Sequence, residues 1–74
     1  MKRSTALVYS YLCANRDRPV PANELLRTLM MTDYRARISE IRRHLRDIGA
    51  PYRVESRRIP GQRTNQYQLV REGQ

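Results

Sequence analysis

The sequence predicts an α+β fold: three helices, then a two-stranded β-hairpin, with one short extended rung near Val20. Three observations predict it. From Thr32 to Gly49 the apolar residues Tyr34, Ile38, Ile41, Leu45 and Ile48 recur at steps of four, three, four and three, the spacing of one helical face. After Gly49 the period changes from about 3.6 to about 2, as it does where a strand replaces a helix. Pro19-Val20-Pro21 allows one rung of extended chain and nothing longer, because proline turns its predecessor away from helix and gives no ladder hydrogen bond. The 74 residues form a single domain over 1–74, with 1–3 and 72–74 expected to be loose ends.

The first helix is expected over residues 4–15, with Ser4 or Thr5 as its cap and Val8 and Leu12 facing inward. Tyr9 or Tyr11 flanks that pair, and the spacing does not choose between them. Asn15 to Arg18 is a polar break. A short second helix is expected over residues 22–30, with Pro21 tolerated at its start and Glu24 in its first turn. Leu25 and Leu29 face inward there, joined by Leu26. Met30 and Met31 then lead through a tight turn, so the second and third helices must cross steeply. Thr32 can cap the third helix, with Asp33 well placed near the positive end of its dipole. Gly49 supplies the left-handed residue that closes this helix, and Pro51 forbids its continuation.

In the last third, Tyr52, Val54 and Ser56 alternate with Arg53, Glu55 and Arg57. A second strand follows, with Tyr67 and Leu69 inward and Gln66, Gln68 and Val70 outward. Between the strands, Pro60-Gly61 suits positions i+1 and i+2 of a type II turn.

The formal charge is +8, and it is not spread evenly. Residues 1–20 carry +3, 33–48 carry +2 and 52–71 carry +4. Such clustering implies an anionic partner such as nucleic acid, and no apolar run suggests a membrane. Arginine outnumbers lysine 14 to 1, and its planar fork suits phosphate and guanine edges, although codon bias can produce the same ratio. At about 100° per residue, the polar side of the third helix presents Arg35, Ser39, Arg43 and Arg46, with Arg42 at the margin. A helix needs such a face to rest on a small core while meeting a polyanion; a solvated surface helix would show it too. One cysteine, Cys13, and one histidine, His44, leave no internal disulfide and no zinc set. Cys13 reads as a packing residue and His44 as a surface one. No metal or cofactor is expected. Nor is an enzyme: there is no Cys–His couple, carboxylate motif or glycine-rich phosphate loop. The basic start lacks a sustained apolar segment, so the chain reads as cytoplasmic, and as nucleoid-associated if its partner is DNA.

The order of elements resembles that of winged helix-turn-helix domains over residues 4–71. The residues that carry the resemblance are Val20-Pro21-Ala22-Asn23-Glu24-Leu25-Leu26, then Arg37-Ile38-Ser39-Glu40-Ile41-Arg42-Arg43-His44-Leu45, and Gln66-Tyr67-Gln68-Leu69. The segment RISEIRRHLRDIGAPYRVESRR is similar to small winged-helix proteins of bacteria and their phages. The resemblance implies that the third helix enters the major groove of double-stranded DNA and that the hairpin is the wing. On that basis Thr32, Arg35, Ser39 and Arg43 match groove-facing positions, and Arg57, Arg58, Arg63, Thr64 and Asn65 match the wing. Glu40 and Asp47 depart from a purely basic face. Glu40 can accept from a cytosine amino group, or pair with Arg37 or Arg43.

These readings make the chain a DNA-binding protein, either a transcriptional regulator or an architectural factor of the excisionase kind. Homodimers or cooperative assembly on DNA would add avidity through adjacent half-sites. The alternative is a winged-helix module for protein–protein interaction, with an acidic protein as its partner. RNA binding fits less well, because no aromatic-rich sheet face is encoded.

Overall fold

A computed structural model describes residues 1–72. The elements run α1 (Arg3–Ala14), β1 (Val20–Pro21), α2 (Ala22–Leu29), α3 (Tyr34–Asp47), β2 (Tyr52–Arg58) and β3 (Asn65–Arg71). The strands form one antiparallel sheet in the order β1-β3-β2. The architecture is therefore α+β, three helices and a three-stranded sheet. None of the described helices is long and apolar enough to cross a membrane.

One apolar core joins the layers. Val8 and Leu12 of α1, Leu25 of α2, and Ile38, Ile41 and Leu45 of α3 meet Val20, Val54, Tyr67 and Leu69 of the sheet. The rung at Val20 pairs with Tyr67, which makes β3 the central strand. Tyr34 and Tyr67 meet edge to face, their ring centroids 6.2 Å apart, and so fix the start of α3 against β3. The turns follow their residues. Gly49 ends α3 at φ 65° and Gly61 sits at φ 77°, where a side chain would be strained. The Gln62 N–H donates to the Ile59 carbonyl at 3.0 Å, closing the type II turn over Pro60-Gly61. Met30 ends α2 in the left-handed region at φ 54°, its side chain 84% exposed, and buried Met31 turns the chain into α3.

Several sequence expectations are corrected. Neither Ser4 nor Thr5 caps α1, which starts at Arg3 with Lys2 in the cap position. Both hydroxyls reach across to α3 instead: Thr5 donates to Glu40 Oε1 at 2.6 Å, and Ser4 accepts from Arg37 Nη1 at 3.1 Å. Asp33, not Thr32, occupies the cap position of α3, and its side chain makes no cap hydrogen bond. Leu26 and Ile48 are exposed, because α2 and the end of α3 bury narrower stripes than the apolar pattern suggests. Ser56 is exposed although it shares a face with Val54 and lies opposite buried Tyr67. Tyr9 and Tyr11 are both half-buried against the core, and His44 is half-buried as well. Among the described residues, the expected loose ends make these backbone contacts. The Lys2 carbonyl accepts from Ala6 N–H, Arg71 completes β3, and Glu72 N–H donates to the Pro51 carbonyl. Residues 73 and 74 of the expected tail lie outside the described residues.

A polar cluster fastens β1 and α2 to α1. Glu24 accepts from the Tyr11 hydroxyl and from Arg18 Nη1 at 3.0 Å, while Asn15 bonds both Arg18 and the Tyr11 carbonyl. The Arg18 hydrogen bonds, then that of Tyr11, hold the Glu24 carboxyl down at about 2, against an ordinary 4.5. A depressed carboxyl stabilises the fold above its unfolded value and loses that contribution as pH falls through the folded one. Glu24→Gln is therefore expected to lower the urea midpoint at neutral pH, with the gap to wild type closing between pH 4.5 and about 2. A gap that stays constant over that window would exclude the ionised carboxylate as its cause.

Candidate nucleic-acid interface

The polar face of α3 is asymmetric. Arg42, Arg35, Arg46, Ser39 and Arg43 follow one another around an arc of about 100° on a helical projection. Arg35, Ser39, Arg43 and Arg46 are exposed, and among the described residues the three arginines form no ion pair. Thr32 is exposed just ahead of the helix.

The two margins of this arc are anchored differently. On the hairpin side, Arg42 is half-buried and its Nε donates to the Val54 carbonyl of β2 at 3.2 Å. On the α1 side, Arg37 and Glu40 join a network. The Arg37 side chain is only 13% exposed; it lies 3.3 Å from Asp33 and 2.7 Å from Glu40, whose other oxygen is 3.4 Å from Lys2. The Arg37 Nε contact lies off the N–H axis, so it is Coulombic rather than a hydrogen bond. Thr5 first, then Lys2 and Arg37, hold the Glu40 carboxyl below its usual range. Glu40 thus pairs with α1 and Arg37 and turns away from the arginine arc. Of the pairings open to it from the sequence, the structure places it with Arg37.

The hairpin divides the remaining candidates between two faces. Arg58 pairs with Asn65 in the register that also pairs Ser56 with Tyr67, so these residues lie on the face turned toward α3. Tyr67 marks the junction. Burial raises its hydroxyl pKa, with Tyr34 adding to the effect, while Arg35, Arg42 and Asn65 act in the opposite direction. Arg63 is exposed in the loop and Thr64 is half-buried beside it. Arg57 does not join this group. It pairs with Gln66 on the opposite face, and its guanidinium lies 2.7 Å from Glu55.

Two further cations escaped the sequence reading. Arg27 of α2 is exposed and has no ion pair among the described residues. Its signal was its place on the polar face of a short helix beside the turn. Arg53 shares the far face of the hairpin with Arg57, as their spacing of two already required.

Arg42 ties one margin of the arc to β2, and Arg58 lies on the hairpin face turned toward α3. Exposed guanidinium forks of this kind can each bind one phosphate or one guanine edge through two parallel hydrogen bonds. No protein-family model, curated protein or solved structure matches the chain.

Proposed function

We propose that this chain is a double-stranded DNA-binding protein of the winged helix-turn-helix kind, serving as a transcriptional regulator or an excisionase-like architectural factor. The observation that carries the reading is the exposed arc of α3, in which Arg35, Arg43 and Arg46 form no ion pair among the described residues and whose Arg42 margin is tied to the hairpin. A 14-residue helix spans about 21 Å, and the major groove, about 12 Å wide, admits one. Arg35, Ser39 and Arg43 then face base edges. Arg42, with its Nε committed to β2, and Arg46 reach the flanking phosphates. Arg58 and Arg63 bring the wing to the backbone or to a narrow minor groove. Arg27 adds a phosphate contact from α2, the helix that crosses the backbone in this docking geometry.

About five phosphate contacts should make log affinity fall with log salt at a slope of about −4 to −5. Arg63→Ala should lower affinity and make that slope shallower by about 1. Selection of bound sequences from random duplexes, followed by a salt titration of the winner against scrambled DNA, tests the reading. A clear consensus supports a regulator, and preference for shape without a consensus supports the architectural role. A salt slope near zero, or no duplex binding, would refute it and favour a protein-interaction module.

A further inference from the structure

The hairpin side of α3 runs into an open groove of about 440 Å³ between the last turns of the helix and the start of β2, an edge strand. Arg42 and Arg46 line it from α3, and Arg53 lines it from β2. Its inner lining is apolar: Leu45 and Val54 are buried, and Ala50 and Tyr52 are half-buried against the core. Glu72 is the one acidic residue that lines it, which leaves a net +2. Little holds the three guanidinium groups elsewhere. Arg46 has no ion pair among the described residues. Arg42 commits Nε to the Val54 carbonyl and keeps both Nη groups to donate. Arg53 has one contact of 3.4 Å with Glu55, whose closer partner is Arg57, at 2.9 and 2.7 Å. Arg57 first, and Arg53 after it, hold the Glu55 carboxyl below its usual range. An exposed pair as loose as Arg53 and Glu55 costs little to break.

The C-terminal end of a helix ordinarily repels an anion, because its last carbonyls point outward. Here the Ile48, Gly49 and Ala50 N–H groups donate to the His44, Arg46 and Leu45 carbonyls at 3.1, 3.1 and 2.9 Å. Those acceptors are occupied, and Arg42 covers the Val54 carbonyl of β2. An anion entering the groove therefore meets guanidinium forks rather than bare carbonyl oxygens. The groove also lies where a DNA strand would pass. Arg35 to Arg43 spans about 12 Å along α3, about the width of the major groove. With those residues over the bases of a helix laid across the groove, the last turn of α3 stands against the groove wall.

We infer that this groove seats one phosphate of the DNA backbone, and that Arg53 is a DNA contact alongside Arg42 and Arg46. The inference rests on the DNA-binding reading of α3. It turns the phosphate contacts of Arg42 and Arg46 into a single seat shared with the hairpin, and so fixes which end of the helix meets the strand. A phosphate carries no base identity, so the seat adds affinity without preference for sequence.

The test uses the intact protein and the selected duplex, with the backbone phosphates replaced one at a time by uncharged methylphosphonates. The Arg53 side chain is 50% exposed, so Arg53→Ala should keep the fold and its melting temperature. The variant should bind selected and scrambled duplexes alike about fivefold more weakly at physiological salt, with a salt slope shallower by about 1. In the scan, wild type should lose affinity at a phosphate where Arg53→Ala loses nothing more, because both changes remove the same contact. Wild-type duplex binding that Arg53→Ala leaves unchanged would overturn the inference. A loss from Arg53→Ala that is the same at every methylphosphonate would overturn it too, since that marks a diffuse field and leaves the groove to a free phosphorylated molecule. Failure of wild type to bind any duplex would instead remove the α3 reading on which the inference rests.

Discussion

Arg43→Ala should weaken binding to a selected duplex by about 5- to 150-fold, the equivalent of about 1–3 kcal/mol for one bidentate guanine contact. The loss on random duplexes should be much smaller. The reasoning is positional. Arg43 lies in the middle of α3, exposed and without an ion pair among the described residues, so folding does not already consume its donors. Little intramolecular bonding has to break before it meets a base. Arg42 is the internal comparison, because its Nε already serves the Val54 carbonyl. Competition titrations on selected and scrambled duplexes decide the matter. Equal loss on both would make Arg43 a phosphate contact, and no loss on either would take it out of the interface.

The other large effect is on stability. Ile41 is fully buried on the opposite side of the same helix. Ile41→Ala should cost about 2–5 kcal/mol, because it removes apolar contacts and leaves a cavity that a close-packed core fills only in part. A chain of this length has about 4–11 kcal/mol to lose, so the variant stands near the edge of folding. Its melting temperature should fall by at least about 10 °C in calorimetry or circular dichroism. A loss below about 1 kcal/mol would mean that the core collapses around the gap. Below its melting point the variant should still bind duplex, since the arginine arc does not touch the gap.

The parts of the fold that were legible in the sequence are those set by neighbours. The α3 stripe, the Gly49 stop, the rung at Val20 and the Pro60-Gly61 turn all follow from residues within a few positions of one another. What could not be read depends on distant partners. Thr5 and Ser4 carry the residue types of helix caps, yet their partners lie 35 and 33 residues away on α3. The direction of a helix's apolar face is periodic, but the width of the core beneath it is not, which is why Leu26 and Ile48 stand in solvent. At the candidate interface, composition found the arginines but could not divide them. Arg57 and Arg58 are adjacent in β2 and fall on opposite faces, a division that the period-two alternation of the strand carries and composition does not.

The strand order β1-β3-β2 puts the strand that comes latest in the chain between the two that precede it. Until Asn65–Arg71 has emerged, neither Val20 nor the Tyr52–Arg58 segment has anything to pair with, and Tyr67 and Leu69 are missing from the interior. A nascent or clipped chain ending before that segment would carry helices with a bare apolar underside. Closure of the sheet is thus deferred until that strand is present, and only then does the arginine arc stand on its complete scaffold.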